Sequence, residues 1–580
     1  MTVTEPDQRT ASLTTGTERR SARPELDPSP VPDEGAGPDT GAGPDTGAGP
    51  DTSAGPDQSS GAEVVVDDAR RRTWILVTMC TALVAVVTAG FNVAQQALAL
   101  DLGASQDELL WVINGYTIAL AALLLPIGAI GDRWGRKRVL MTGLVVFAAA
   151  YVASSQARSV EALIAFRVLA GVGAAMIMPV TLSVITSTFP AEDRDRAVGV
   201  WAGFAGAGVV LGMIVSSLII DHLTWRWIVA LPVGLAVVAL PMTARLVPAM
   251  RGRRHGRFDL VGSVLSVLAV GALVLAIHEG PGAGWTAPST LGGLLIGSLA
   301  AVGFVVWELG REHPLLPVRV FRHRTVTAGS VNLLVVFGIM GGLFLVLVQF
   351  MQAVLGFTAL GASIGLLPMA VIIVPLSTIA PRLAGRLGLR RLLTGGTLVI
   401  AAGLALMATL TDVDRGYMSI LPGLLVVSVG IGAVMTPGTA AITAALPVEE
   451  QGVASALNDT TREIGTTVGV ALIGSILSAG YSSAIAPTAA RLPEPAAQLV
   501  GEGIGGAVVV SEHLGPVADP LLHAARVAFV DGWSGSMWVS IGVAIAAAAF
   551  NHLVLSRHHS PHSPPSPHSR SVRSITPSEL

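Results

Sequence analysis

The sequence predicts an all-α integral membrane protein, a helical bundle with fourteen apolar segments that each cross the bilayer. Three observations lead there. Of the 580 residues 51% are apolar, only 13% are charged and the mean hydropathy is +0.65, whereas a soluble domain carries roughly 25% charged residues. The apolar residues gather in runs of about 18–25, the length a helix needs to cross hydrocarbon. Arginines return in every second interval between runs, the alternation expected when a chain comes back repeatedly to the same side.

Residues 1–68 precede the first run and are rich in Pro, Gly, Asp and Thr, with the hexapeptide Gly-Ala-Gly-Pro-Asp-Thr three times from Gly35 and a degenerate copy ending at Gln58. Such a segment buries too little apolar surface to offset its chain entropy, so a disordered tail is expected. It lacks a basic start followed by an apolar core, so no signal peptide is expected. The runs follow at 74–100, 109–131, 138–156, 163–188, 196–220, 226–247, 259–277, 291–308, 326–352, 359–379, 391–410, 418–443, 452–477 and 534–556. Gly and Pro inside them are compatible with membrane helices, where small residues permit close contact. The long interval 478–533 reads as an external loop, partly helical and packed on the outer mouth. From Ser556 onward, His558, His559, His562 and His568 lie among Ser and Pro in a second tail. A histidine-rich tract can bind metal weakly, but a solvated low-complexity end is the simpler reading.

Orientation follows from the basic residues. Loops after even-numbered runs hold the arginine-rich stretches 133–138, 194–196, 245–257, 311–324 and 382–391, while the short loops after odd-numbered runs hold only Arg158, Arg226 and Arg415. The positive-inside rule then places both termini in the cytoplasm and the chain, a multi-pass protein, in the cell membrane.

Several classes are excluded. The net charge is −3 and the basic residues are scattered through loops, which removes nucleic acid as a partner. The single cysteine, Cys80, lies in an apolar run, so no disulfide or cysteine metal site is available. There is no G-x-x-x-x-G-K-[ST] phosphate loop, no metal-ligand spacing outside the tail and no nucleophile motif. The expectation is a transporter rather than an enzyme, without metal or cofactor, whose partners are a small-molecule substrate and membrane lipid and which works as a monomer.

The loop between the second and third runs reads Gly128-Ala-Ile-Gly-Asp132-Arg133-Trp-Gly135-Arg136-Lys137-Arg138. Asp132 can cap a helix end or pair with a base on a neighbouring helix, and the glycines let two helix ends approach. This loop resembles the signature G-x-L-A-D-R-x-G-R-K of the major facilitator superfamily, where it acts as a conformational latch; the resemblance assigns that role to Gly128, Asp132, Arg133, Gly135 and Arg136. Phe166-Arg167-Val-Leu-Ala170-Gly171-Val-Gly173 looks like the superfamily's R-x-x-Q-G-x-G, with Ala170 in place of Gln. Asp259-Leu-Val-Gly262, Glu279-Gly280 before Trp285, and Pro314-Leu-Leu-Pro317 ahead of Phe321 are similar to the helix pair inserted in the fourteen-helix branch. Gln352-Ala-Val-Leu-Gly356 and Pro368 follow that pattern too, and Ser455-Ala-Leu-Asn458-Asp459-Thr-Thr-Arg462-Glu463-Ile-Gly465 is the most specific run. Together they resemble the drug:proton antiporters of that branch, near the exporters of quaternary ammonium compounds and dyes. The implied plan is a six-helix half over 69–247, a two-helix insert over 248–325 and a second half over 326–556, with tails at 1–68 and 557–580.

Two departures from that pattern stand out. Alignment on Asn92-Val93-Ala94 and Asp101-Leu102-Gly103 puts Val87 where the branch carries an Asp in the first segment, and Gln95-Gln96 in place of Leu-Pro. The segment-five signature G-P-x-x-G-G appears as Gly212-Met213-Ile-Val-Ser216-Ser217. Coupling acids must therefore be sought elsewhere.

A charge in the bilayer centre costs about 2.5–3.5 kcal/mol on insertion scales, so each one inside a run is a candidate. Arg167 lies inside the fourth run, and Asp459, Arg462 and Glu463 lie inside the thirteenth. On a helix, Asn458, Asp459, Arg462, Glu463 and Thr466 share an arc of about 140°, a polar face for a cavity. Asp459 and Arg462, three apart, are placed to pair. Asp459 and Glu463 are two carboxylates four apart in a low-dielectric site, where one of them is suited to carry a proton. A purely structural ion pair is the competing account. Substrate contacts are expected near the midplane between the halves, with Asn92, Gln95, Gln96, Asn114, Tyr116, Asn332, Gln349 and Asn458 as candidates; for each, an inter-helix hydrogen bond is the alternative. Trp201 and Trp111 are possible aromatic walls, with interfacial anchoring the better account of Trp111.

The expected function is secondary export of hydrophobic or cationic drugs, or of a secondary metabolite, driven by a proton gradient through alternating access. The alternatives are a facilitator or importer with altered coupling, and a non-transporting membrane sensor or scaffold.

Overall fold

Long apolar runs interrupted by Gly and Pro fold here as helices throughout. The computed structural model describes residues 58–87, 90–92, 94, 98, 101–104, 106–249 and 258–555, and the described residues from Ala62 onward form one compact unit. The long helices are α1 (Gln58–Val87), α2 (Gln106–Trp134), α3 (Arg136–Ser155), α4 (Val160–Thr188), α5 (Ala191–His222), α6 (Ala230–Leu246), α7 (Leu260–Ala283) and α8 (Pro288–Leu309). They continue with α9 (Arg324–Gln349), α10 (Leu367–Leu387), α11 (Leu389–Leu410), α12 (Leu421–Thr443), α13 (Gln451–Ala489) and α14 (Asp519–Val554).

Among the described residues, 13 helices are long and apolar enough to cross a membrane. The remaining expected crossing is the first run, 74–100, which is described in part, through Val87 of α1 and a 3-10 turn at Gly90–Asn92. The hydropathy of the sequence thus yields the helices, and their starts and stops follow local chemistry. Asp259 accepts the Gly262 N–H at 2.8 Å to cap α7, and Ser159 accepts that of Ala162 at 3.3 Å to cap α4. Gly135 and Gly388, with φ of 99° and 83°, each turn the chain tightly into the next helix, a conformation that penalises any Cβ.

The packing repeats itself. In the first half α4 lies against α2 and α3, and α3 against α6; in the second α12 lies against α10 and α11, and α11 against α14. The halves meet along two reciprocal seams, α2 on α13 and α5 on α10, so the second helix of each half touches the fifth helix of the other. α7 and α8 pair with one another, and α7 packs on α2 and α13. This is the expected architecture of two six-helix halves with an inserted pair.

The ends of α13 and α14 differ from the sequence expectation. Hydropathy ends the thirteenth run at 477 and begins the fourteenth at 534, whereas α13 continues to Ala489 and α14 starts at Asp519. Small residues let the two helices run on together: the Gly480 and Gly532 backbones leave no room for a Cβ. Short helices at Glu494–Glu502 and Ile504–Leu514 pack on this extension, where Tyr481 donates to the Val500 carbonyl at 2.9 Å.

Candidate functional site

The polar face of α13 is set in place by glycine. Gly465 and Gly469 lie so close to the backbone of α9 at Leu334 and Gly338 that neither position has space for a side chain. Two helices in such contact fix the rotation of α13, and Asp459 and Arg462 turn into the bundle.

Asp459 is fully buried. Its Oδ1 accepts Asn458 Nδ2 at 3.0 Å and faces Arg462 Nη1 at 3.5 Å, while its Oδ2 has no hydrogen-bond partner. The Arg462 guanidinium lies 4.3 Å from the ring centroid of Phe337 on α9 and 5.4 Å from that of Trp201 on α5, a cation over two aromatic faces. Trp201 is itself fixed by donating Nε1 to Thr181 Oγ1 at 3.1 Å. Arg462 thus belongs to the second half and leans on a ring of the first. Glu463, half-buried, is within electrostatic reach of Arg462, Asp459 and the Tyr116 phenol. Two acids and one guanidinium therefore share one low-dielectric neighbourhood.

A second arginine sits in the first half. Arg167 on α4 is buried, donates Nε to the Val112 carbonyl at 3.0 Å and Nη1 to Tyr151 Oη at 3.1 Å. Rings of Tyr116, Phe91 and Tyr151 surround it with centroids at 4.3, 4.6 and 5.7 Å. Tyr116 lies within electrostatic reach of both this guanidinium and the Glu463 carboxyl.

At the end of the bundle that carries the basic loops, Asp132 spans the α2–α13 seam. Its Oδ1 accepts the Gly452 N–H at 2.9 Å and Oδ2 the Val453 N–H at 3.0 Å, so a carboxylate of one half caps the first turn of a helix in the other. Arg136 donates to Asp132 Oδ1 at 2.8 and 3.1 Å and to the Val448 carbonyl at 2.8 Å. Gly128 lies against Gly452 and Ala456 with no room for a Cβ, Gly135 supplies the turn into α3, and Arg133 lies 5.5 Å from the Phe258 ring. The second seam, α5 on α10, closes with small residues: Gly199 and Gly203 lie against Ser377 and Val374, and Ser377 donates to the Gly199 carbonyl at 3.1 Å.

The remaining sequence candidates are scattered. Asn332 is fully buried in a network inside the second half, where its Oδ1 accepts Thr397 Oγ1 and Asn551 Nδ2, each at 3.0 Å; it joins three helices instead of lining the midplane. Asn114 is half-buried on α2, and Gln349 is half-buried at the last turn of α9. Gln95 and Gln96, and the side chain of Asn92, lie outside the described residues. Val87 packs on Gly208 of α5. Trp111 is exposed whereas Trp201 is fully buried. Phe337, Phe91 and Tyr151, central to the two arginine sites, carry no polar signal within apolar runs and are found only in three dimensions.

Comparison with known proteins agrees with this architecture. The family model of the Major Facilitator Superfamily matches residues 77–470. The methyl viologen resistance protein SmvA of Salmonella typhimurium is 32% identical over 473 residues, covering 81% of this chain and 94% of that protein. The multidrug efflux pump LfrA of Mycolicibacterium smegmatis is 32% identical over 484 residues, covering 82% and 95%. Among solved structures, the proton:xylose symporter XylE shares the fold with a TM-score of 0.52 at 16% identity, over 83% of this chain and 95% of that one. With its two reciprocal seams, its charged Asp132–Arg136 turn and a family match across most of its length, the chain belongs to the major facilitator superfamily.

Proposed function

We propose that this protein is a proton-coupled exporter of hydrophobic and cationic drugs, acting by alternating access in the cell membrane with both termini in the cytoplasm. The observation that carries the reading is the buried group of Asp459, Arg462 and Glu463 set against Trp201 and Phe337 where the two halves face one another. Acids and aromatic rings together suit organic cations, and a carboxyl in that surrounding is suited to take up and release a proton during the cycle. The names of SmvA and LfrA, resistance to methyl viologen and multidrug efflux, support the same class of cargo.

In this reading the basic end is cytoplasmic. The Asp132 cap and the glycine seams close that end, and inward opening requires the Gly452 and Val453 N–H groups to leave Asp132. A proton gradient supplies the energy, the cargo is a small molecule and the working unit is a monomer.

The test is ethidium efflux from cells expressing the protein. Efflux that collapses with a protonophore supports proton coupling, and efflux from Asp459→Asn/Glu463→Gln cells equal to wild type removes the proposed site. A second reading, facilitated movement without protons, draws on Val87, which gives α1 no titratable group at that position. Substrate flux in vesicles with no accompanying pH change would establish it.

A further inference from the structure

Arg462 fills the place beside Asp459 where a cationic substrate would sit. A flat, delocalised cation over Phe337 and Trp201 and beside a carboxylate is itself the arrangement that recognises a lipophilic organic cation. The guanidinium is held loosely: its one contact with Asp459 is 3.5 Å long, and its Nε has no hydrogen-bond partner. The acceptors around it are only partly used, because Asp459 Oδ2 and Asn458 Oδ1 are unpartnered on residues with no solvent exposure. The next residue, Glu463, offers a second anion that already feels Arg462. With two acids and one guanidinium, a single proton on the acids makes the group neutral.

We propose that Arg462 is a built-in substitute for the substrate, and that cation binding and proton release are coupled by its movement. A lipophilic organic cation takes the seat between Asp459 and the rings of Trp201 and Phe337. The displaced guanidinium pairs with Glu463, whose O–H bond breaks as its proton passes to water. One cation enters, one proton leaves, the buried charge is unchanged and no group is oxidised or reduced. Because Trp201 belongs to the first half while Asp459, Arg462 and Phe337 belong to the second, the exchange is felt across the interface that must rearrange. This mechanism rests on the export reading above and adds to it a coupling residue.

The test uses the purified full-length protein in detergent at pH 7 in weak buffer, titrated with tetraphenylphosphonium while a pH-sensitive dye reports proton release. Wild type is expected to release roughly one proton per cation bound. Glu463→Gln is expected to bind the cation with almost no release. Arg462→Gln is expected to bind about tenfold more tightly, as it would if the guanidinium occupies the seat nine-tenths of the time. Arg462→Lys, which keeps the charge but loses the flat stacking group, should fall between, and monodisperse gel filtration shows that each variant is folded. Proton release that persists in Glu463→Gln, or an Arg462→Gln variant that binds no more tightly than wild type, overturns the proposal. Wild type that exports ethidium yet fails either criterion leaves the export reading intact; wild type that neither exports ethidium nor binds the cation defeats both.

Discussion

Asp132 of α2 accepts the backbone N–H of Gly452 at 2.9 Å, across a sequence separation of 320 residues, and so caps a helix of the opposite half. With the second bond to Val453, and with its ion-pair partner Arg136 donating to the Val448 carbonyl, it ties the two halves together where the basic loops lie. Each charge-assisted bond of this kind contributes on the order of 1.5–3 kcal/mol. Asp132→Asn should therefore shift the protein toward opening at this end. Cys80 is the only cysteine, so Cys80→Ser gives a thiol-free background for a probe at Ala456, which faces Gly128 and is buried. Alkylation of Ala456→Cys by a water-soluble maleimide should rise severalfold when Asp132→Asn is added. Equal labelling with and without the change would argue against the latch.

The same seam makes a steric prediction. A Cβ on Gly452 would lie 2.5 Å from both Asp132 Oδ1 and the Gly128 carbonyl oxygen, whereas one on Gly385 would meet nothing within 4 Å. Gly452→Ala should reach the membrane in normal amount and lose at least about tenfold in ethidium efflux, roughly 1.4 kcal/mol of bias between states. Gly385→Ala should transport like wild type. Efflux rates normalised to membrane expression decide it.

Arg226, in one connecting loop of the first half, binds two others at the end opposite the basic loops. It donates to Asp101 Oδ2, to the Ser155 carbonyl and to the Ala157 carbonyl, each at 2.9 Å, and Trp225 Nε1 reaches the same Asp101 oxygen at 2.9 Å. The ion pair is partly exposed, 36% and 47%, and contributes little alone, so the carbonyl bonds dominate. Arg226→Ala should lower the thermal midpoint in detergent more than Asp101→Asn does. The reverse order would show that the ion pair, rather than the loop anchoring, matters.

Tyr417, in the turn between α11 and α12 and outside the spans, makes a pH-dependent contact. Its hydroxyl donates to the Gly365 carbonyl at 2.7 Å, its ring stacks with Phe357 at 6.2 Å, and burial pushes its phenol above the usual tyrosine range. The folded state thus keeps the proton longer than the unfolded chain. Its contribution is fully present below about pH 10, the unfolded value, and is lost as pH rises through the folded one. Tyr417→Phe should cost on the order of 1 kcal/mol and flatten the loss of stability above pH 10. A thermal-melt series from pH 8 to about pH 11 tests this, and identical slopes for the two proteins would contradict it.

Much of this architecture is legible in the chain because membrane crossing constrains composition so strongly. The basic-loop alternation, the Asp132–Arg136 spacing and the three charges at Asp459, Arg462 and Glu463 all stand out against an apolar background. What pairs with them does not. Trp201 is legible only as an aromatic wall, while Phe337, Phe91 and Tyr151 are uncharged rings in apolar runs, and nothing local distinguishes a ring that stacks on a guanidinium from one that packs against leucine. Asn332 reads as a cavity residue for the same reason: its partners Thr397 and Asn551 lie 65 and 219 residues away. The extensions of α13 and α14 escape hydropathy because they are held by helix-to-helix contact at Gly480 and Gly532 and not by an apolar run.

The most direct test of proton-coupled export through α13 is transport in proteoliposomes holding the purified protein. A pH gradient is imposed, and tetraphenylphosphonium uptake is followed in wild type and in Asp459→Asn/Glu463→Gln. The account predicts uptake against the cation gradient only when the lumen is acidic, with loss of that accumulation in the double variant. Accumulation by the double variant equal to wild type, or wild-type uptake indifferent to the imposed gradient, would contradict it.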